Sequence, residues 1–331
     1  MKAVRVHAYG KRPSVDEIPE PTVSGPLDVL VQVGAAGLCR TDLHIVEGQW
    51  AEKSGVHLPY VIGHENAGWV REVGNAVTNV RPGDAVILHP LATCGLCRPC
   101  RSGDDVHCEN SKFPGIDTDG GMAELLLTNA RSVVKLAEGL EPEDVAALAD
   151  AGLTAYHAVR KAVPLLYPGT TCIVIGAGGL GHIGIQCLLA MTATRVVVVD
   201  PNDKARELAR ELGAHDVLAD ISEAEPAHVV LDFVGEQGAE KAGLAMTRRA
   251  GSYYVIGYGG TVNIPTIDLI STERNIIGNL VGSYNDLDEL MTLAAQGKVT
   301  LHTRTYPLTA VNEAMDDLEA GRLQGRGILV P

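Results

Sequence analysis

Aromatic residues are scarce in this chain. Only 4% of its 331 residues are Phe, Trp or Tyr, although 46% are hydrophobic. We therefore expect a core built mainly from Val, Ile, Leu and Ala. The length also exceeds what one hydrophobic core usually covers, so the sequence predicts two domains.

Basic residues are few as well. The chain has 27 Lys and Arg against 41 Asp and Glu, which leaves a formal net charge of −14. A protein that binds the phosphates of nucleic acid needs a basic surface, and the pair Arg248 and Arg249 is too small to provide one. The composition therefore excludes a nucleic-acid partner.

Targeting and membrane segments are not evident. The N-terminal stretch MKAVRVHAYG alternates apolar and polar residues like a first β-strand, and it does not resemble a signal peptide. Residues 169–194 carry no charge and are long enough to cross a membrane, but they include six glycines and a histidine. A strand, a turn and a helix explain them better. We expect a soluble, cytoplasmic protein with no membrane partner.

Cysteine is rare except in one segment. Four of the seven cysteines lie between residues 94 and 108 with the spacing C-x2-C-x2-C-x7-C. Cytoplasmic thiols stay reduced, so clustered cysteines indicate a metal before a disulfide. Four thiolates form a closed tetrahedral shell around zinc. The predicted ligands are Cys94, Cys97, Cys100 and Cys108.

Two alternatives for this cluster are less consistent with the sequence. Iron–sulfur runs usually end with Cys-x3-Cys-Pro, which is absent here. A cluster of core cysteines would need apolar neighbours, but Arg98, Arg101, Asp104 and Asp105 lie among these four. The spacing therefore predicts a structural zinc lobe over residues 90–112. A closed shell leaves no position for a substrate, so the chemistry should lie elsewhere.

A glycine-rich turn follows a predicted strand in TCIVIGAGGLGHIGIQCLLA. Gly176, Gly178 and Gly181 match G-x-G-x-x-G, and a helix is predicted from about Leu180. In this strand–turn–helix context the motif indicates a dinucleotide site. Its glycines allow the backbone to approach a pyrophosphate, whose charge faces the helix N-terminus. Gly179 and Leu180 complete the predicted binding turn.

The segments after this turn predict a doubly wound parallel sheet. The strand RVVVVD ends at Asp200, nineteen residues after Gly181. An acid at this position binds the ribose hydroxyls of NAD and repels the 2′-phosphate of NADP. The amphipathic helix DKARELARELGA and the strands VVLDFVG and YYVIGYG continue the alternation. In LADISEAEPAHVVLDFVG, few residues separate the third strand of the sheet from the fourth, VVLDFVG, and Pro226 interrupts them, so we expect a short or absent helix there.

Several motifs together resemble one family. GLCRTDLH, IGHENAGWV, the four-cysteine segment, GAGGLG and the C-terminal GRLQGRGILV are similar to stretches of the zinc-dependent medium-chain alcohol dehydrogenases, in the family's order. The resemblance implies a mainly β, GroES-like catalytic domain over residues 1–151 and 285–331. It also implies an NAD-binding Rossmann domain over residues 152–284, with the active site in the cleft between the two.

The resemblance also implies a second, catalytic zinc. Cys39 and His64 match two of its ligands. The family's third ligand is often a cysteine, but the corresponding stretch, ALADAGLTAY, offers Asp150, as in a subset of bacterial secondary-alcohol dehydrogenases. Glu65 matches an acid near the metal and is the competing third ligand. Asp42 matches the carboxylate that orients the ligand histidine.

Other positions match residues around the substrate and the cofactor. Thr41 matches the hydroxyl that bonds the substrate oxygen, and His44 matches the outer end of the proton relay. Trp50 falls where related enzymes often line the substrate pocket, and an exposed loop residue is the alternative. The implied cofactor contacts are Arg40 and Arg326 to the pyrophosphate and Thr154 beside the nicotinamide.

The implied activity is reversible hydride transfer between NAD and an alcohol, either secondary or medium-chain or aryl, with two zinc ions per chain. A polyol or amino-alcohol dehydrogenase is the nearest alternative, and a non-catalytic NAD-binding sensor is the alternative from another class. Bacterial members of the family are commonly tetramers. The resemblance therefore implies a homo-oligomer, with a tetramer favoured over a dimer.

Overall fold

A computed structural model describes all residues, Met1–Pro331. The chain divides into two compact units. Unit 1 consists of Met1–Ala151 with Ser283–Pro331, and unit 2 consists of Gly152–Gly282. Unit 2 therefore ends two residues before the boundary expected from the sequence. None of the helices combines the length and the apolar character needed to span a membrane.

Sixteen strands and eleven α-helices make up the chain, together with short 3₁₀ turns. The strands are β1 (Lys2–Val6), β2 (Ser14–Glu17), β3 (Asp28–Leu38), β4 (Tyr60–Val61), β5 (Glu65–Val73), β6 (Ala85–Leu88), β7 (Leu125–Asn129), β8 (Val133–Lys135), β9 (Thr171–Ile175), β10 (Arg195–Val199), β11 (Asp216–Leu218), β12 (Ala227–Asp232), β13 (Thr247–Val255), β14 (Asn275–Gly278), β15 (Thr303–Pro307) and β16 (Arg326–Val330). The helices are α1 (Arg40–Glu47), α2 (Ala51–Ser54), α3 (Arg98–Arg101), α4 (Pro142–Val145), α5 (Ala151–Ala162), α6 (Gly181–Met191), α7 (Asp203–Glu211), α8 (Ala239–Ala245), α9 (Thr266–Thr272), α10 (Tyr284–Ala295) and α11 (Val311–Glu319).

Unit 1 is mainly β. Six strands follow the order β15-β16-β3-β5-β6-β8, and β7 pairs with β3 to complete a seven-stranded sheet. All pairs in this sheet are antiparallel except β15 with β16. Its core consists mostly of aliphatic side chains, including Val31, Ile62, Val86 and Leu329. The expected aliphatic core is therefore confirmed for this unit.

The pairing of β3 with β5 brings distant residues together. The two strands are antiparallel, and Gly37 near the end of β3 lies opposite Glu65 at the start of β5. Cys39 directly follows β3, and His64 directly precedes β5. This register therefore places Cys39 and His64 at the same end of the strand pair.

Unit 2 contains a six-stranded parallel sheet in the order β11-β10-β9-β12-β13-β14. Numbered from β9, this order is 3-2-1-4-5-6, which is that of the dinucleotide-binding Rossmann fold. The predicted fold class, a doubly wound α/β unit together with a mainly β unit, is therefore confirmed.

The crossover between β11 and β12 has no α-helix. A single 3₁₀ turn, Ile221–Glu223, takes its place. Asp220 caps this turn by accepting from the N–H of Ser222 at 2.8 Å, and Pro226 follows, where it cannot donate a helical hydrogen bond. The expectation of a short or absent helix here is confirmed.

Candidate metal centres and cofactor site

The four-cysteine cluster lies in unit 1 between β6 and β7. Each of its thiols offers a sulfur, and the four sulfurs lie within 4.8 Å of one another, without any disulfide. Short local turns bring them together, and Cys97 is the N-cap of the one-turn helix α3. Four convergent reduced thiols fit a closed zinc site.

Backbone N–H groups favour the thiolate form of Cys94, whereas burial raises the pKa of Cys100 to about 12. The sulfur of Cys94 accepts from the N–H groups of Leu96 at 3.5 Å and Cys97 at 3.4 Å. These bonds lower the pKa of Cys94 to about 6. The sulfur of Cys108 accepts from Cys94 and Asn110 in the same way, at 3.3 and 3.4 Å. Because the thiolate is the metal-binding form, these local N–H groups favour metal binding by Cys94.

A second cluster gathers ligand types from three separated segments of unit 1. Cys39, His64, Glu65 and Asp150 each offer one ligand atom, and all four atoms lie within 4.8 Å of one another. The first three residues are buried, whereas Asp150 is partly exposed. Asp150 lies between the 3₁₀ turn Ala146–Ala149 and helix α5. The cluster therefore combines three buried candidate ligands with one that is partly exposed.

His64 carries the clearest sign of a metal position. Its Nδ1 lies 3.5 Å from Asp42 Oδ1, and its Nε2 lies 3.6 Å from Asp150 Oδ2. Neither ring nitrogen has a hydrogen-bond partner, although the side chain is fully buried. Burial lowers the pKa of His64, but Asp42, Asp150 and Cys39 raise it well above its ordinary value overall. A pocket that favours positive charge and leaves an imidazole nitrogen unpaired fits a zinc ion.

Asp42 holds the other side of this histidine. Its Oδ2 accepts from the N–H of Cys39 at 2.8 Å, which closes the first turn of α1. Its Oδ1 faces His64 at the distance given above. The carboxylate is completely buried between two candidate ligands, and this geometry is compatible with the orienting role that the resemblance implies.

Glu65 is held by an ion pair that the sequence did not indicate. Arg326, at the start of β16, donates to Glu65 Oε1, and the N–H of Ala151 donates to the same oxygen at 3.2 Å. Glu65 Oε2 has no partner. A Cβ at Gly37 would lie 2.0 Å from that oxygen, so glycine at this position makes room for the acid. Burial raises the pKa of Glu65, and Arg326 opposes the shift.

Arg326 thus has a structural partner within unit 1. The side chain of Arg326 is only 4% exposed. Burial lowers the pKa of Arg326, but the negative charge of Glu65 outweighs this effect and raises the pKa overall. A contact between Arg326 and a pyrophosphate stays a prediction. Arg40 is exposed at the first position of α1, and its contact with the cofactor also stays a prediction.

The two residues expected to handle substrate and proton lie on α1. Thr41 and His44 are partly exposed and lie three positions apart, so they occupy neighbouring positions on the helix surface. The helix ends at Gly48, whose φ of 89° gives a left-handed C-cap. Trp50 is half-buried against the core of unit 1 rather than exposed. The roles of all three stay predictions.

In unit 2 the glycine turn has the shape that a pyrophosphate requires. Gly176 has a φ of +87°, and a Cβ at Gly181 would lie only 1.8 Å from the carbonyl oxygen of Gly176. A Cβ at Gly178, by contrast, would meet nothing within 4 Å. Helix α6 begins at Gly181, with Leu180 as its N-cap. A tight turn with an open face at the start of a helix fits a bound dinucleotide.

Asp200 follows β10, next to this turn. Its Oδ2 accepts from the N–H of Ala177 and its Oδ1 from the N–H of Asn202, both at 2.8 Å. It therefore ties the glycine turn to the end of the neighbouring strand, a contact that the sequence pattern did not reveal. Thr154 is buried on α5, and its carbonyl oxygen accepts from Asn279 at 3.2 Å. Contacts of Asp200 and Thr154 with a cofactor stay predictions.

One feature of unit 2 had no signal in the sequence. Val281 is buried with a φ of 42°, although a β-branched residue strongly disfavours positive φ. The next residue, Gly282, packs tightly, because a Cβ there would lie 2.6 Å from Leu153. Strained backbone of this kind concentrates at ligand-binding sites. Val281 is thus a strained position in unit 2 that the sequence did not indicate.

Two family models match the chain. Residues 25–138 match the alcohol dehydrogenase GroES-like domain, and residues 179–296 match the zinc-binding dehydrogenase model. The first covers most of the sheet of unit 1 and the four-cysteine cluster, and the second covers most of the Rossmann sheet.

Similar proteins extend over the full chain. An NAD-dependent alcohol dehydrogenase of Saccharolobus solfataricus is 34% identical over 100% of both chains. A D-arabinose 1-dehydrogenase (NADP(+)) of the same organism is also 34% identical, over 100% of this chain and 97% of the relative. The crystal structure of the alcohol dehydrogenase of Aeropyrum pernix matches with a TM-score of 0.96 and 42% identity, over 100% of both chains.

These matches cover the segments that carry both metal clusters and the glycine turn. They cover the chain from end to end, so no large segment is left without a counterpart. The resemblance inferred from the motifs is confirmed: the chain belongs to the zinc-dependent medium-chain alcohol dehydrogenase family.

Proposed function

We propose that this chain is a zinc- and NAD-dependent alcohol dehydrogenase that interconverts an alcohol and its ketone or aldehyde. The observation that carries this proposal is the cluster of Cys39, His64, Glu65 and Asp150, of which the first three are buried and Asp150 is partly exposed. A structural zinc needs a closed shell, whereas a catalytic zinc keeps one position open. The membership of the chain in a family of zinc dehydrogenases supports this assignment.

Two zinc ions per chain follow from the two clusters. The four cysteines hold the structural ion, and Cys39, His64 and Asp150 hold the catalytic one. Asp150 is favoured over Glu65 as third ligand because Asp150 Oδ2 lies 3.6 Å from the unpaired Nε2 of His64, whereas the charge of Glu65 is already paired with Arg326. When bound, the catalytic zinc supplies a Lewis acid that polarises the oxygen of the substrate.

The remaining roles in the reaction belong to side chains of the chain and to NAD. Thr41 bonds the hydroxyl of the alcohol and takes part in removing its proton, which reaches solvent through His44. Asp42 keeps the imidazole of His64 oriented. NAD supplies the hydride acceptor. The residues proposed to hold NAD are Arg40, Thr154, Gly176, Gly178, Gly179, Leu180, Gly181, Asp200 and Arg326.

A substrate panel tests this function. Purified protein is assayed with NAD and with NADP against primary, secondary and aryl alcohols, a polyol, an amino alcohol and D-arabinose, while the zinc content is measured. We expect turnover of a secondary, medium-chain or aryl alcohol with NAD and two zinc ions per chain. Turnover of only the polyol, the amino alcohol or the sugar would reassign the substrate class, and no turnover at all would favour an NAD-binding sensor.

We further propose that the protein is a homo-oligomer, with a tetramer favoured. Strand β14 is the edge of the parallel sheet of unit 2 and is largely exposed. Three large apolar side chains that flank this strand in the sequence, Ile267, Ile270 and Leu280, are 66%, 70% and 58% exposed. An unpaired edge beside apolar surface is suited to pairing with a second copy. Light scattering gives the oligomeric state of the wild type and of Ile270→Asp. A monomeric wild type would reject the proposed homo-oligomer.

A cytoplasmic location is also proposed. All seven cysteines are free thiols in the structure, and thiol-based metal sites persist in a reducing compartment. Fractionation of the source cells tests this, and recovery outside the cytoplasm would contradict it.

A further inference from the structure

The segment Phe113–Met122, here called the glycine segment, packs behind the candidate zinc ligand His64. Its sequence FPGIDTDGGM contains three glycines to which neither the metal ligands nor the cofactor motif assigns a role. The segment comes after the four-cysteine cluster but contributes no metal ligand of its own. Its contacts are made with the residues just before His64.

Backbone hydrogen bonds join the glycine segment to the chain that leads into His64. The N–H groups of Gly120, Gly121 and Met122 donate to the carbonyl oxygens of Val61, Gly63 and Ile62, at 2.8, 2.8 and 2.9 Å. Asp119 Oδ1 also accepts from the N–H of Val61 at 2.8 Å. All three residues before His64 are therefore anchored to this segment.

The glycines allow an approach that no other residue would permit. A Cβ at Gly115 would lie 2.5 Å from the carbonyl carbon and oxygen of Gly63, and a Cβ at Gly120 would lie 2.4 Å from that oxygen. Gly63 is bonded directly to His64 and has a φ of +101°. A side chain at either glycine would therefore displace the backbone that positions the histidine.

The glycine segment also contacts the imidazole itself. The ring of Phe113 meets that of His64 edge to face, with centroids 5.9 Å apart and an interplanar angle of 90°. The N–H of Phe113 donates to Asp117 Oδ1 at 2.7 Å, which closes the loop locally. The ring of His64 is thus in contact with Phe113 and lies near the carboxylates of Asp42 and Asp150.

We infer that the glycine segment is a positioning element for the catalytic metal. Gly115 and Gly120 set the backbone position of His64, and Phe113 sets the plane of its ring. The inference rests on the proposed function, since it acts on the proposed catalytic zinc. Metal ligands must lie within about 0.2 Å of their ideal distances, so a displacement of the Gly63 peptide by a few tenths of an ångström should weaken metal binding.

The test compares two alanine substitutions with equal backbone strain. Gly115 has a φ of +89° and Gly139 a φ of +90°, but a Cβ at Gly139 would meet nothing within 4 Å. Gly115→Ala should weaken zinc at the Cys39–His64 site by about 10- to 100-fold, the range found when groups around metal ligands are removed. Gly139→Ala should leave that affinity unchanged.

Zinc affinity is measured by competition with a chromophoric chelator, and the four-cysteine zinc of the same molecule serves as internal reference. In cobalt-substituted protein the absorption bands of the Cys39–His64 site should shift in Gly115→Ala and keep their wild-type positions in Gly139→Ala. Equal losses in the two variants would overturn the inference, because they would reflect strain alone. No loss in Gly115→Ala would overturn it as well.

If Gly115→Ala fails to fold, Phe113→Ala decides the question. It should weaken the same site and shift its cobalt bands, and Phe113→Leu should restore part of the affinity. Wild-type affinity in Phe113→Ala would overturn the inference. A wild type that binds zinc at this site but oxidises no alcohol would reject the proposed function and leave the positioning test valid.

Discussion

Both metal clusters lie in unit 1, but they are built in opposite ways. The four cysteines come from fifteen consecutive residues, and nearby N–H groups bond their sulfurs. The other cluster collects Cys39, His64, Glu65 and Asp150 from segments as much as 111 residues apart in sequence. A local site helps to fold its own loop, whereas a distributed site exists only after the sheet has formed.

The buried polar atoms show the same contrast. Both nitrogens of His64, Oδ1 of Asp42 and Oε2 of Glu65 have no hydrogen-bond partner, and all three residues are buried. At the cysteine cluster, by contrast, the sulfurs of Cys94 and Cys108 accept hydrogen bonds from nearby backbone N–H groups. The distributed site therefore depends on its ion to compensate buried polar groups, and its ligands depend on Arg326, Asp42 and the glycine segment for their positions.

The largest effect is expected from Asp150→Ala, which removes the proposed third ligand of the distributed site. Turnover should fall by more than about 100-fold, because losing a ligand should cost more than losing a group behind one. Metal analysis should show one zinc per chain, with NAD binding retained. Asp150→Cys should keep the metal, because thiolate is a good zinc ligand. Two zinc ions and near-normal turnover in Asp150→Ala would assign the third position to Glu65.

Cys97→Ser makes the matching change in the local site and should mainly affect stability. Structural zinc contributes directly to folding free energy, so the midpoint of thermal unfolding should fall by several degrees. Turnover per folded molecule should change little, because the closed shell takes no part in the reaction. Calorimetry and kinetics on the same sample check this. An unchanged midpoint of thermal unfolding together with lost turnover would indicate that the four-cysteine cluster, and not the distributed cluster, is the catalytic site.

Asp42→Asn tests how far the distributed site depends on its surroundings. The amide keeps the size of the side chain but removes the charge facing His64. Zinc affinity at that site should fall by about 10- to 100-fold, while the four-cysteine zinc stays bound. Chelator competition measures both sites in one titration. Equal zinc affinities in the variant and the wild type would show that Asp42 does not contribute to metal binding at this site.

Asp200→Ser should have the smallest effect and lies outside both clusters. The preference for NAD over NADP should narrow by about tenfold, the scale of one hydrogen bond to a charged group. Zinc content should stay at the wild-type value. The ratio of kcat/KM for the two cofactors is the measurement. A wild type that already prefers NADP would contradict the assignment of Asp200.

The local patterns could be interpreted from the sequence because they are short. The spacing of the four cysteines and the G-x-G-x-x-G turn lie within 15 and six consecutive residues, and turn geometry alone brings their atoms together. The alternation of strands and helices likewise predicted the parallel sheet of unit 2. The ligands Cys39, His64 and Asp150 were reached only through the family resemblance, since no spacing rule connects them.

Other features were beyond any local pattern. The pairing of Arg326 with Glu65 joins residues 261 positions apart. The fit of Gly37 over Glu65 depends on how β3 and β5 pair in the sheet, and the contact of Phe113 with His64 joins two segments that are distant in sequence. A shift of the β3–β5 register by one residue would turn the side chain of Glu65 to the other face of the sheet, so its contacts require the assembled sheet.

By itself, the sequence determined the four-cysteine cluster, the glycine turn and the alternation that produces a doubly wound sheet. Each depends on residues a few positions apart, whose relative positions are restricted by backbone geometry. Only the tertiary structure decided how His64 is held, which oxygen of Glu65 is occupied, and that the glycine segment supports the metal site. These depend on long-range strand pairing, which brings Gly37 opposite Glu65 and requires the whole of unit 1 to fold before the second metal site can exist.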